Sequence, residues 1–247
     1  MEEILIKLTK NIGILGDMMR EAIIVFTRVP IPGKTKTRLE KMITKEECAN
    51  IHINFLKDIK NICDILKRDI FIFYTPADKN NIIKNIFGSK VNYKIQEGND
   101  LGEKMFNAIE YVLNKDYKSS ILIGSDIPYM CIDDLEKAFS ILKEKDIVLG
   151  PTADNGYYLV GMNKPTKEIF QNIEYGHGNV LSNTIETIKN INLTYDLTNE
   201  NRDIDEPKDL KYFYEEIKNG TVDKDMNTSK FIVKIIEENS KCLELKI

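Results

Sequence analysis

Cysteine and histidine are scarce and poorly placed for metal or disulfide chemistry. The 247 residues hold four cysteines (Cys48, Cys63, Cys131 and Cys242) with no C-x-x-C pair, and only two histidines. This argues against a zinc framework and a disulfide scaffold, and suits a reducing cytoplasm. Positive charge is not in excess either. At a formal net charge of −4 the chain lacks the broad basic face that nucleic acid or an anionic membrane would require, so any phosphate binding must be local. A long apolar run is missing as well. "MEEILIKLTKNIGILGDMM" is interrupted by Lys7, Lys10 and Asn11, which leaves no signal-peptide core and no membrane span. Residues 1–19 read as an N-terminal extension, either upstream of a start at Met18 or Met19 or an added amphipathic helix. No tract rich in Pro, Gly or Ser divides the rest, and no internal repeat stands out. One domain is expected over residues 20–218, followed by a C-terminal extension over 219–247.

Short apolar runs do recur, at 22–27 ("AIIVFT"), 70–74 ("IFIFY"), 120–124 ("SILIG") and 146–150 ("DIVLG"), and they read as strands. Between them, segments 45–67, 101–114 and 132–143 carry apolar residues three and four apart and read as helices. The alternation predicts a mostly parallel sheet covered on both faces, with ligands beyond the carboxyl ends of its strands. "YYLVGM" at 157–162, after the turn-forming "ADNG", is expected to be an antiparallel or edge strand. A helix over 207–218 opens with Pro207 in its first turn.

Positive charge is concentrated in one place. "RVPIPGKTKTRLE", 28–40, gathers Arg28, Lys34, Lys36 and Arg38 directly after a strand. "GKT" looks like the tail of a P-loop, but the position of that motif's first glycine is Arg28, and two prolines replace backbone donors. The remaining reading is a stiff loop, turning at Gly33, that suits a polyanion. "ILIGSDIPYM" runs a buried strand into Ser125 and Asp126. A carboxylate at a strand tip suits Mg²⁺ or Mn²⁺, which bind through one or two carboxylates plus substrate phosphates, although Asp126 could instead cap the helix near Ile132, a job for which Asp133 is better placed.

"GPTADNGYYLVGM" places Asp154, Asn155 and Gly156 between two strands, as a hairpin turn or as the frame of an acceptor or sugar pocket. In "NRDIDEPKDL", Asp205 is a candidate second carboxylate near a metal, while capping accounts for at least one acid of the group. "QEGNDLGEKM", 96–105, enters a helix whose N-terminus, with Gly102 in its first turn, could face a ligand. Asp100 with Glu103 three residues on is a capping box and a sufficient structural reason for both. His177, between glycines in "EYGHGN", could reach a metal or phosphate. His52, inside a helix, reads as structural.

Taken in order, "VFTRVPIPGKTKTRL", "QEGNDLGEKM", "IGSDIPYM", "DIVLGPTADNGYYLVGM" and "DIDEPKDL" resemble the bacterial GT-A-type transferases known as rSAM/selenodomain-associated or arsenosugar-biosynthesis glycosyltransferases. The resemblance covers about residues 20–218. That family is related to nucleotide-diphospho-sugar transferases and is distantly similar to the guanylyltransferases of coenzyme F420 and molybdenum-cofactor synthesis. The resemblance implies an α/β, Rossmann-like GT-A fold, a nucleotide-activated donor, a small-molecule acceptor and a divalent metal. It assigns Arg28, Lys34 and Arg38 to the donor diphosphate, Asp126 to the metal, and Asp205 to the aspartate near the phosphates. Asn155 stands where relatives carry a glycine, and "YGHG" at 175–178 stands where they carry Trp-Ser-Thr. Three functions follow as expectations: glycosyl transfer from a nucleoside diphosphate sugar, nucleotidyl transfer with release of pyrophosphate, and noncatalytic nucleotide binding.

Overall fold

A computed structural model describes residues 20–176 and 178–244, with side chains through residue 238. The N-terminal extension and His177 lie outside the described residues. The sheet is built around β1 (Glu21–Arg28), whose apolar run is buried on both sides. Ala22 and Ile24 point into one helical layer, Ile23 and Val25 into the other. That is why the run reads as continuous rather than alternating.

β2 (Asp69–Thr75), β3 (Asn92–Ile95), β4 (Ser119–Gly124), β5 (Ile147–Pro151), β6 (Tyr157–Met162) and β7 (Tyr195–Leu197) complete a seven-stranded sheet of order β3-β2-β1-β4-β6-β5-β7. β1 pairs in parallel with both β2 and β4, and β2 with β3. β6 runs antiparallel to β4 and β5, and β7 is parallel to β5.

The helices are α1 (Lys45–Leu66), α2 (Asn80–Phe87), α3 (Leu101–Leu113), α4 (Ile132–Ile141), α5 (Val180–Asn190), α6 (Pro207–Asn219) and α7 (Asn227–Glu244). α1, α2 and α4 cover one face of the sheet, through Leu56, Ile83 and Phe139 among others. α3 and α5 cover the other, through Met105, Ile109 and Ile188. The mostly parallel α/β architecture expected from the sequence is the observed one.

β6 is antiparallel, as expected, but it is not an edge. It sits between β4 and β5, with Leu159 opposite both Ile123 and Gly150. Its residues are almost all buried, whereas an exposed edge would carry polar or charged groups. Gly161 permits the close packing, because a Cβ there would come within 2.7 Å of Ile121 Cγ2 and 2.8 Å of Val148 Cγ1.

The second side of α1 packs against α6 and α7 in a third cluster that includes Ile51, Phe55, Phe213 and Ile232. Segment 219–238, which the sequence sets apart as an extension, thus contributes to a core shared with α1. Asp58 of α1 reinforces that docking. Its buried carboxylate accepts from the backbone N–H of Asn227 at 2.9 Å and of Thr228 at 2.8 Å, and so caps the start of α7 from a distant part of the chain.

Candidate active site

The chain leaves β1 toward β2 on one side, while β4 lies on the other side of β1, so a crevice opens between the carboxyl ends of β1 and β4. It holds a cavity of about 660 Å³, well within the range of small-ligand sites. Thr27 and Arg28 come from β1, and Gly124, Ser125 and Asp126 from β4 and its exit. The basic loop forms one rim. Its prolines are tolerated because the loop closes through other donors: Lys34 N–H donates to the Ile31 carbonyl at 3.0 Å, and Thr35 Oγ1 links the Ile31 N–H and the Val29 carbonyl.

The loop's four cations do not act as one group. Arg28, Lys34 and Arg38 line the cleft, and Arg38 is 71% exposed. Lys36 turns inward. Its backbone adopts the left-handed conformation (φ 53°, ψ 37°), which costs a non-glycine residue roughly 1–2 kcal/mol. Its side chain is only 4% exposed, and its ammonium is 2.7 Å from Asp205 Oδ1, 2.8 Å from the Ile204 carbonyl and 3.1 Å from Asp126 Oδ1. Burial opposes protonation of Lys36, but the two carboxylates outweigh it and raise its pKa.

Asp126 shows the complementary effect. Burial of its inner oxygen favours the neutral acid, and Lys36, with help from nearby groups, reverses this and lowers its pKa. As a side chain Asp126 is 49% exposed although Oδ1 is buried, which leaves the second oxygen toward the cleft. Asp203 differs: burial, then the neighbouring Asp205 and Asp154, push its pKa up to about 6.

His52, read from the sequence as structural, also lines the back of the cavity. It is buried against the tips of β1 and β4, with Nε2 3.0 Å from Thr27 Oγ1 and 3.2 Å from Ser125 Oγ. Burial lowers its pKa to about 4, so it is neutral at pH 7 and Lys36 is the group that keeps Asp126 ionised. A sequence signal existed. His52 shares the helical face of Cys48, Ile51, Phe55 and Ile59, and a polar ring on a buried stripe needs partners.

The structure brings Arg28, Lys34, Arg38, Ser125, Asp126 and Asp205 to one cavity and places other candidates outside its wall. Gly33 shapes the loop at φ 73°. Gly102 lies under α3's neighbours, where a Cβ would meet the Phe170 carbonyl at 2.6 Å, a packing demand of the fold. Asp154 closes the β5–β6 turn by accepting from Thr152 Oγ1 at 2.6 Å and Gly156 N–H at 3.2 Å. At Gly156 a Cβ would stand 2.8 Å from Thr152 Oγ1. Asn155 occupies the left-handed region at φ 63°, where a glycine is unstrained, and its amide bonds to the Gly178 carbonyl and Ser182 Oγ. Asp126 does not cap α4. Asp134 does, accepting from the Cys131 N–H at 3.0 Å, and it displaces Asp133 from that role.

Leu101, Met105, Tyr157 and Val160 form an apolar part of the wall. Beside it, Gln96 Nε2 donates to the carbonyls of Thr27 and Phe73 at 2.9 and 3.0 Å. With both amide protons taken, Oε1 is left as an oriented acceptor.

Among the described residues no group of three or more His, Cys, Asp or Glu is placed to hold a metal ion. Asp126 and Asp205 remain, joined through Lys36. Two carboxylates, each meeting Lys36 through Oδ1 and each partly exposed, fit a hard cation that binds the outer oxygens and takes its other ligands from water and phosphate. No helix among the described residues is long and apolar enough to cross a membrane.

Comparison with known proteins agrees with this architecture. The profile of DUF2064, a family of uncharacterised proteins conserved in bacteria, matches residues 60–177. A solved structure from Desulfovibrio desulfuricans G20, provisionally assigned as a nucleotide-diphospho-sugar transferase, superposes with a TM-score of 0.84 at 29% identity, covering 90% of this chain and 98% of that one. The 2-phospho-L-lactate guanylyltransferase of Methanocaldococcus jannaschii is 28% identical over 179 residues, 71% of this chain and 75% of that protein. The 4-diphosphocytidyl-2C-methyl-D-erythritol synthase of Anaerococcus prevotii DSM 20548 shares the fold at a TM-score of 0.54 and 10% identity, covering 82% of this chain and 97% of that one. The fold is that of nucleotidyl and nucleotide-sugar transferases.

Proposed function

We propose that the chain is a transferase that uses a nucleotide-activated donor, moving a sugar from a nucleoside diphosphate sugar to a small-molecule acceptor. The observation that carries this reading is the pairing, across one crevice, of three cleft-lining cations with two carboxylates that share a buried ammonium. Arg28, Lys34 and Arg38 bind the donor's diphosphate and offset the charge that builds on it as the sugar–oxygen bond breaks. Asp126 and Asp205 would hold Mg²⁺ or Mn²⁺, which when bound supplies further neutralisation at the phosphate oxygens. Lys36 keeps Asp126 charged and orients both carboxylates. The apolar wall and Gln96 Oε1 receive the nucleobase, whose edge must then present an N–H. The acceptor's oxygen bonds to the sugar's anomeric carbon as the nucleoside diphosphate leaves.

Nucleotidyl transfer is the second reading, and the 28% likeness to a guanylyltransferase favours it. The same cations would then meet a triphosphate, with pyrophosphate as the leaving group. Product analysis separates the two: glycosyl transfer releases nucleoside diphosphate, and nucleotidyl transfer releases pyrophosphate. Donors come from a thermal-shift panel of nucleotides and nucleotide sugars with Mg²⁺ or Mn²⁺, since a bound ligand raises apparent stability. Asp126→Asn keeps shape and removes charge, and its turnover is expected to fall by about a hundredfold or more. Near-normal turnover would remove Asp126 from metal binding, and a loss confined to Asp205→Asn would move the cation to that carboxylate.

A further inference from the structure

His52 stands at the back of the crevice, buried between the tips of β1 and β4. Its Nε2 meets the hydroxyls of Thr27 and Ser125, which are themselves joined at 2.9 Å. The protons can be traced. Ser125 Oγ donates to Thr27 Oγ1, and Thr27 Oγ1 donates to the Arg28 carbonyl at 2.9 Å. Each oxygen then offers the imidazole only lone pairs, so Nε2 carries the ring proton and Nδ1 is bare. Nδ1 has no hydrogen-bond partner and lies 3.6 Å from Asp126 Oδ1.

We infer that His52 is a positioning residue of the donor site: its Nε2–H ties the two strand tips together and thereby sets where Arg28 and Asp126 stand across the crevice. Thr27 and Ser125 each directly precede one of those charged residues. The spacing between Arg28 and Asp126 must match a donor phosphate and its counter-cation, and a misplacement of about 1 Å can cost on the order of a hundredfold. Core filling alone would ask only for ring volume, and an aliphatic or phenyl side chain would supply it without the cost of burying a polar ring. The inference rests on the donor-site reading above.

Three substitutions separate the roles. His52→Gln keeps an N–H donor near the Nε2 position, His52→Phe keeps ring volume without the donor, and Thr27→Val removes one hydroxyl while keeping shape. Two probes report on the site: Mn²⁺ alone, by electron paramagnetic resonance, and the tightest of GTP, UTP and CTP with Mg²⁺, by calorimetry. Melting temperatures accompany both, and ¹⁵N NMR of the wild-type imidazole reads which nitrogen is protonated. The expected result is an Nε2–H tautomer, His52→Gln within about threefold of wild type, and His52→Phe and Thr27→Val each weakened about tenfold with little change in melting temperature. Wild-type binding by His52→Phe, or an Nδ1–H tautomer, overturns the inference. If His52→Phe does not fold, Thr27→Val decides, and wild-type binding there is equally fatal. A wild-type protein that binds neither probe overturns the donor-site reading itself and the inference with it.

Discussion

Lys36→Met removes one charge from the centre of the site while keeping the side-chain stem that lies by the Phe55 ring, 5.5 Å from the ammonium. The Lys36 side chain is 4% exposed, but those of its partners Asp126 and Asp205 are 49% and 39% exposed, so water already screens part of the interaction. Breaking a fully buried pair costs about 3–5 kcal/mol. Discounting for the exposed carboxylates brings the expected loss to about 2 kcal/mol, or about 4–8 °C in melting temperature for a chain of this size. Urea unfolding at pH 7 measures it, with an unchanged slope showing that only stability moved. The pH dependence carries the sharper test. Asp126 has a folded pKa below its ordinary value because Lys36 outweighs the effect of burial, so the stability it contributes is present above the ordinary carboxylate pKa and is lost as pH falls through the folded value. Lys36 has a raised pKa, so its share persists until alkaline pH. The difference between wild type and variant is therefore expected to hold from about pH 5 through neutrality and to shrink on acidification. No difference at pH 7, or a difference that does not shrink in acid, would refute Lys36 as the counter-ion of this pair.

Two further perturbations address the rim and the scaffold. Lys34→Ala and Arg38→Ala are each expected to weaken nucleotide binding by roughly tenfold while changing stability by less than about 0.5 kcal/mol, since both side chains are solvated; titration calorimetry with unchanged affinity in both would take the loop out of the donor site. Asp58→Ala removes the cap of α7 and is expected to cost about 2–3 kcal/mol, with protease cleavage and hydrogen exchange rising first in α7. Uniform exchange across the chain would show that α7 is held by its apolar contacts alone.

The central strands were legible because a strand covered on both faces must be apolar at consecutive positions, and β1, β2, β4 and β5 all carry such runs. The edges were not. β3, "NYKI", and β7, "YDL", have few buried positions, so their pairing is decided by neighbours that a local reading cannot see. β6 was legible in part: the Asn-Gly turn before it marks the antiparallel β5–β6 hairpin, but an edge position does not hold, and the near-continuous burial of "YYLVGM" belongs to a strand inserted between two others. α7 lay in a segment set aside as an extension, and the residue that caps it, Asp58, is far away in sequence.

At the site, charge was legible and direction was not. "GKTKTRL" spaces Lys34, Lys36 and Arg38 two apart, and an extended chain would point all three the same way. The left-handed backbone at Lys36 breaks that pattern, sending its ammonium beneath the crevice while Lys34 and Arg38 stay on the rim. No local sequence preference demands the strained conformation at a lysine. It persists because the Ile204 carbonyl, Asp205 and Asp126, which lie far along the chain, together bind the ammonium more strongly than the strain opposes it. The same long-range logic makes Asp205 a member of the site rather than a helix cap. The N-terminus of α6 is served by Asp209, whose carboxylate accepts from the N–H groups of Asp205 and Glu206, so the side chain of Asp205 is free to meet Lys36. A run of cations and a run of acids, each explicable on its own as loop charge or capping, thus meet only because the fold brings the ammonium of Lys36 to Asp126 and Asp205, two carboxylates far apart in the chain.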